Sequence, residues 1–424
     1  MSDTLSLRLP AGMRDFAPRA AASRRRIAET LLSIFESWGY ARVITPAFEY
    51  EDVLGLGLGP EGRAATLRFV EPSSGRVVAL RPDFTPQIAR LISTRFRDET
   101  GPIRLCYEGT VLRLERGARS QRELIQAGVE LAGVGGPHGD ADVIALGSAA
   151  LAAVGLAEAK FDLTIDLGHL GLMREILAAL ALSPDGERAA RAAIAKRDPS
   201  GLEEVLRTSS ASASVLRFVR ALPDLSGAPT ILKAALRQAP SPSIRRAVVE
   251  LQAIVDAVTR RTPQARLHVD LTEVRGFDYY TGVRFQVFAA GAAEPVLQGG
   301  RYDDLLGRYG RTSPAVGFAV DVEAAAGALE VAAAVAGQPT ADGVPASRNS
   351  VLVIGAPERA ATRAAELRAQ GQEAASLLVA IPAAQVAAYA ARWGYRDVVD
   401  AGENGSPRSS KIASKIAKKG LKKR

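Results

Sequence analysis

Val274-Arg275-Gly276-Phe277-Asp278-Tyr279-Tyr280-Thr281-Gly282 gathers one arginine, two glycines, one carboxylate and two adjacent tyrosines into nine consecutive residues. The run Val283-Arg284-Phe285-Gln286-Val287-Phe288 follows directly. Its alternation marks a strand, because successive strand side chains point to opposite faces. A strand that only fills a core has no use for so many polar, planar and small groups. A cleft that grips a small charged ligand does, since a few fixed polar groups must converge within largely apolar walls.

Working outward, two further strands carry chemistry. Thr110 to Glu115 reads as a strand with Arg113 and Glu115 on one face. Leu124 to Leu131 alternates: Ile125, Ala127, Val129 and Leu131 form an apolar face, opposite Leu124, Gln126, Gly128 and Glu130. The basic loop Arg116 to Ser120 joins them as an antiparallel hairpin. Gly128 leaves room for something to lie against the backbone. Asp83 and Thr85 lie at a strand-to-helix junction, where Thr85-Pro86 caps a helix from Gln87 to Phe96.

The candidate pocket groups are therefore Asp83, Thr85, Arg113, Glu115, Gln126, Glu130, Arg275, Tyr279 and Tyr280. Carboxylates on an inner strand face are costly to bury without a cation or donor. An amino acid bearing an ammonium and an imidazole supplies both. The plainer alternative is that the acids pair with Arg113 and Arg275 and only stabilise the sheet.

Elsewhere, Arg19 to Trp38 has helical spacing, with Ile27, Leu31, Ile34, Phe35 and Trp38 on one face and Gly39 as its stop. Ala41 to Thr45 reads as a strand. Residues 170–260 are rich in Ala, Leu and Arg and read as a helical insertion. Gln298-Gly299-Gly300-Arg301-Tyr302-Asp303 reads as a glycine turn leading into a helix, and Pro314 to Val320 as a strand before the helix Val322 to Ala333. These divisions predict a domain over 1–333, an α/β module over 338–403 and a basic disordered tail over 404–424. In the module, strands at Ser350 to Gly355 and Asp397 to Val399 flank a helix from Glu358 to Gln370.

Composition narrows the function classes. The chain has 424 residues, is 47% hydrophobic and has one cysteine, Cys106, so no internal disulfide framework exists. No apolar run reaches the about 18 residues of a membrane-span candidate. Met1 to Leu5 lacks the features of a signal peptide. Both point to a cytoplasmic protein without membrane association. With three histidines and no Cys cluster, a structural metal site is not expected. The net charge of +8 equals the eight basic residues Arg408, Lys411, Lys415, Lys418, Lys419, Lys422, Lys423 and Arg424, so the body is near neutral. A protein that grips an RNA duplex spreads basic side chains over a folded face, and this chain does not advertise one.

Five segments in order carry a resemblance. Ile44-Thr45-Pro46 resembles the dimer-forming motif 1 of class II aminoacyl-tRNA synthetases. Val111 to Glu115 through Gln126 to Glu130 resembles motif 2, and Pro314-Ala315-Val316-Gly317-Phe318-Ala319 resembles motif 3. The Arg275 to Tyr280 segment and Gly299-Gly300-Arg301-Tyr302-Asp303 are similar to those of the histidyl-tRNA synthetases, over about Leu9 to Ala333. The resemblance implies an α+β fold: an antiparallel sheet flanked by helices, with a helical insertion and a small C-terminal α/β module.

The departures carry as much weight. The family's motif 3 arginine, which contacts ATP phosphates, is matched by Ala324, and the aromatic that stacks on adenine by Leu124. Neither replacement can reproduce a charge-assisted clamp or a stacking ring. The C-terminal module is about half the length of an anticodon-binding domain. Leu80 to Arg90 looks like the form found in the regulatory subunits of ATP phosphoribosyltransferase, a paralogous family.

That resemblance implies a subunit with no catalytic residues or cofactor of its own, required for the first step of histidine biosynthesis. It implies a homodimer within a hetero-oligomer, paired with a short-form catalytic subunit, with histidine as effector and no functional tRNA binding. Histidine would contact Asp83, Thr85, Gln126, Glu130, Arg275, Tyr279 and Tyr280, with Arg113 and Glu115 left from a vestigial nucleotide site. An active histidyl-tRNA synthetase and an RNA-binding sensor using the basic tail are the alternatives.

Overall fold

The computed structural model describes residues 8–114, 121–157, 159–336, 350–402 and 408–411. The chain divides into two compact units: Arg26–Ala336 with Met1–Arg14, and Gly337–Arg424 with Asp15–Arg25.

The chain opens with helix α1 (Pro18–Ser37) and strand β1 (Ala41–Arg42). Ile27, Leu31 and Phe35 of α1 are buried at helical spacing, and Gly39 ends the segment at φ 83°, a left-handed conformation that glycine adopts without steric cost. Next come β2 (Phe48–Tyr50), the short helices α2 (Glu51–Leu54) and α3 (Pro60–Ala64), β3 (Arg68–Val70) and β4 (Val77–Leu80). Strands β2, β4 and β3 form a small antiparallel sheet. Helix α4 (Thr85–Arg95) then leads to the hairpin β5 (Ile103–Leu112) and β6 (Glu123–Ala132).

Helix α5 (His138–Ala153) and strand β7 (Thr164–His169) precede six helices: α6 (Leu170–Leu180), α7 (Pro184–Lys196), α8 (Pro199–Leu206), α9 (Ala213–Ala221), α10 (Ile231–Gln238) and α11 (Pro242–Arg261). They are the helical insertion, broken only by β8 (Ser226–Gly227). Ser183, Asp198, Ser212 and Ser241 cap α7, α8, α9 and α11 by accepting backbone N–H bonds, which satisfies donors that every helix start leaves open. Strands β9 (Arg266–Asp270), β10 (Val283–Phe288), β11 (Leu297–Arg301) and β12 (Ala315–Asp321) and helix α12 (Val322–Val335) complete the first unit.

Its main sheet has nine strands in the order β1-β5-β6-β12-β11-β10-β7-β9-β8 among the described residues. Pairing is antiparallel except between β1 and β5 and between β7 and β9. The apolar face of β6 (Ala127, Val129, Leu131) packs into one large core with α1, α5, α12 and the insertion helices.

Strand β11 corrects the expected glycine turn at Gln298 to Asp303. Gly299 and Gly300 lie inside a strand paired on both edges, to β10 and β12. A Cβ on Gly299 would meet the Gly317 carbonyl at 2.3 Å, and one on Gly300 would meet Tyr280 at 2.6 Å. The glycines therefore mark close approach within a sheet.

In the second unit, β13 (Ser350–Ile354) pairs in parallel with β14 (Glu373–Ser376) and β15 (Asp397–Asp400). Helices α13 (Pro357–Ala369) and α14 (Ala383–Arg392) cover opposite faces, α13 against Val353 and α14 against Leu352 and Val398. Of the basic tail expected to be disordered, Arg408–Lys411 forms β16, paired antiparallel to β15. It covers an edge of β15 that would otherwise leave ladder groups unpaired. Residues 412–424 and Glu115 lie outside the described residues.

Candidate functional site

A cavity of about 120 Å³ opens over the middle of the main sheet. Asp83, Thr85, Arg113, Gln126, Tyr279 and Tyr280 line it, together with Pro295, Gln298, Tyr302, Asp321 and the β11 and β12 backbone at Gly299 and Gly317 to Ala319. The sheet register explains the convergence. Cross-strand partners share a face, so Gln126 stands opposite Asp321, and Glu130 opposite Gly317. Asp83 and Thr85 come from the start of α4, and Asp83 Oδ1 accepts from the Thr85 amide at 3.2 Å. Arg113 is fixed by its Nε donating to the Pro82 carbonyl at 2.7 Å.

Glu130 is not among the residues lining the cavity; its Oε2 packs against Gly317, which is, and the residue is only 2% exposed. Its Oε1 accepts from the Tyr107 hydroxyl at 3.3 Å, while Oε2 is buried without a hydrogen-bond partner. Burial pushes its carboxyl well above the usual range, and the negative Asp83 adds to this against the Thr85 and Tyr107 hydroxyls. The Tyr279 hydroxyl and Gln126 Oε1 are likewise buried without partners. Burial raises the Tyr279 phenol well above its ordinary value, and it takes Tyr280 up to about 12 although the Arg284 charge opposes. The two rings meet edge to face at 4.9 Å, with Tyr302 5.5 Å from Tyr279. Unsatisfied buried polar atoms are rare in folded proteins because each costs desolvation free energy. Gln126, Tyr279 and Tyr302, whose hydroxyl is also buried without a partner, line the cavity, and Glu130 Oε2 lies against its Gly317 wall. Such a set can hydrogen-bond a small polar ligand.

Tyr107 is the chief residue that sequence reasoning missed. Its partner in register is Gly128, and a Cβ at Gly128 would lie 2.5 Å from the Tyr107 hydroxyl. The space expected above Gly128 for a ligand is filled by this tyrosine, stacked on Phe84 at 4.4 Å. The signal was present: a tyrosine and a glycine fall opposite each other once the hairpin register is known. Asp321 could have been read as a helix cap, since it accepts from the Glu323 and Ala324 amides at 2.8 and 3.0 Å.

Arg275 does not line the cavity. Its Nε and Nη2 donate to Glu273 at 2.9 and 2.6 Å, and its side chain is 56% exposed. Glu273 is shared with Arg284, buried within β10, at 2.6 Å. The reason is local: Gly276, at φ 70°, turns the chain so that Tyr279 and Tyr280 face inward while Arg275 folds back on Glu273.

Of the positions expected to depart from a nucleotide site, Leu124 is buried in the apolar cluster of Phe84, Tyr107 and Val111. Ala324 sits in the first turn of α12, its amide taken by Asp321. Glu115, the other residue assigned there, is outside the described residues.

The fold and this cavity define a domain of the class II aminoacyl-tRNA synthetase type. The histidyl-tRNA synthetase family matches residues 12–325. A solved structure from Bacillus halodurans described as an ATP phosphoribosyltransferase regulatory subunit/histidyl-tRNA synthetase is similar at TM-score 0.78 and 26% identity, covering 94% of this chain and 98% of that one. Among curated relatives, the ATP phosphoribosyltransferase regulatory subunit of Geobacter metallireducens is 39% identical over 76% of this chain and 74% of its own length. That of Anaeromyxobacter sp. (strain Fw109-5) is 40% identical over 77% of this chain and 94% of its own length. The chain belongs to the family of ATP phosphoribosyltransferase regulatory subunits.

Proposed function

We propose that this chain is a catalytically silent subunit that docks, as a homodimer within a hetero-oligomer, on a short-form ATP phosphoribosyltransferase catalytic subunit. In that role it serves the first step of histidine biosynthesis in the cytoplasm and holds free histidine as effector. The observation that carries the reading is the set of partnerless buried atoms Gln126 Oε1, Tyr279 Oη and Tyr302 Oη around one small cavity, with Glu130 Oε2 against its Gly317 wall. An imidazole ring offers one N–H and one acceptor nitrogen to such a set, and Asp83 suits an α-ammonium.

Absence of adenylate formation rests on two positions. Ala324 has no cationic side chain to hold phosphate, and its amide is already taken by Asp321. Leu124 packs into an apolar cluster and has no aromatic face for a base. Among the described residues no helix is long and apolar enough to cross a membrane.

The test is calorimetric titration of the full chain with histidine, followed by native mass spectrometry with a short-form catalytic subunit. Binding of histidine and a stable mixed complex are expected. Separate species at micromolar concentration, or histidine-dependent adenylate synthesis by this chain alone, would return the active synthetase as the better reading.

A further inference from the structure

The geometry around Glu130 points to the form in which the ligand's ring is received, given the reading that histidine occupies this cavity. We infer that Glu130 waits as an undissociated acid and receives the imidazole as a neutral base, so the empty protein already carries the one proton the bound pair shares.

The groups that face Glu130 supply no positive charge. From β5 comes the Tyr107 phenol, whose hydroxyl donates to Glu130 Oε1 at 3.3 Å. From the start of α4 come the negative Asp83 and the Thr85 hydroxyl, and the tyrosine loop contributes Tyr279 and Tyr280, which feel the Glu130 charge. On β12 the opposing residue is Gly317, and a Cβ there would lie 1.8 Å from Glu130 Oε2. The Tyr40 phenol is a further neutral group that feels Glu130. Neither nearby arginine is hydrogen-bonded to Glu130: Arg113, which lines the cavity, has its Nε on the Pro82 carbonyl, and Arg284 holds Glu273. A carboxylate buried among phenols and a second acid, without a bonded cation, is less stable than the acid itself. Burial raises the Glu130 carboxyl in the same sense.

The proton balance follows. Acid plus neutral imidazole gives a pair holding one proton, whether that proton sits on oxygen or on nitrogen, and none enters or leaves solution. A lysine or arginine side chain brings its own positive charge, and a matched pair with it requires Glu130 to release its proton. The site therefore favours imidazole over permanently cationic side chains near neutral pH.

The experiment is calorimetry of the full chain with histidine at pH 7.5, in phosphate and in Tris, with affinities from pH 5.5 to 8.0. Comparing buffers of different ionisation enthalpy should give a net proton exchange near zero. Affinity should be constant from pH 7.0 to 8.0. It should fall toward tenfold per unit below the imidazole pKa of about 6.5, because the free ligand must then shed a proton to bind. Uptake near one proton at pH 7.5 overturns the inference. So does an affinity that holds or rises at pH 5.5 while circular dichroism shows the fold intact. Absence of binding heat at every pH overturns the histidine reading itself, and this inference with it.

Discussion

Glu130 and Arg284 stand in one row across the main sheet, separated by Gly317 and Gly300. Each glycine is a space required by a neighbour: Gly317 for the Glu130 carboxyl and Gly300 for the Tyr280 ring. The row is acid, gap, gap, base, and the tyrosine loop closes over it. Gly317→Ala puts a methyl 1.8 Å from Glu130 Oε2 and 2.4 Å from the Val129 carbonyl. Overpacking of this kind costs about 1–3 kcal/mol. A lower melting temperature is expected, with loss of measurable histidine binding by calorimetry. A variant with wild-type affinity would mean that Glu130 is not where the ligand sits.

Arg275 and Arg284 both hold Glu273, but from different environments. Arg275 is mostly exposed, so Arg275→Ala should cost less than about 1 kcal/mol in urea denaturation. It should leave histidine affinity within a few-fold of wild type. Arg284 is 8% exposed, and Arg284→Ala removes a buried partner, a loss of about 3 kcal/mol or more. Equal effects, or a large loss of binding in Arg275→Ala, would place Arg275 in the site after all.

Tyr279→Phe separates stability from binding. In the empty protein the Tyr279 hydroxyl is buried and unpartnered, so removing it should leave stability unchanged or raise it by up to about 1 kcal/mol. With histidine bound the hydroxyl has a partner, and its loss should weaken affinity about tenfold, equivalent to about 1.4 kcal/mol. A less stable variant with unchanged affinity would assign the hydroxyl to structure.

Histidine-dependent exchange of pyrophosphate into ATP by the purified chain should not exceed a no-protein blank. Ala324 and Leu124 are the reasons, and Ala324→Arg alone should not restore the activity, because Leu124 still lacks a stacking face. Exchange by the unmodified chain is the result that would contradict this.

Truncation after Pro407 removes β16 and exposes the edge of β15. The second unit should then melt earlier, while histidine binding, which rests on residues of the first unit, stays unchanged. An unaltered melting profile would mean that the β15–β16 pairing contributes nothing to the unit's stability.

Much of this was legible in the residues. The Leu124 to Leu131 alternation showed which face of β6 turns to the core, because a strand's side-chain period is two and a one-residue slip would reverse every position. The same logic placed Gln126 and Glu130 together. The Ala, Leu and Arg content of residues 170–260 marked the insertion as helical, since these residues have high intrinsic helix propensity. These are local rules, and the local sequence was enough to determine them.

Register and side-chain partnership were decided only by the tertiary structure. Tyr107 and Glu130 are 23 positions apart, and their contact exists because β5 and β6 pair with Tyr107 opposite Gly128. Gly299 and Gly300 look like a turn until neighbouring strands and the Tyr280 ring press on them from both sides. Arg275, four residues from Tyr279, was expected to share its pocket, but the backbone turn at Gly276 sends the two side chains apart. The sequence by itself determined which groups this protein could bring to a ligand. The pairing of distant strands decided which meet in one cavity, because a hydrogen bond or a clash depends on distances of a few tenths of an ångström that local propensity does not encode.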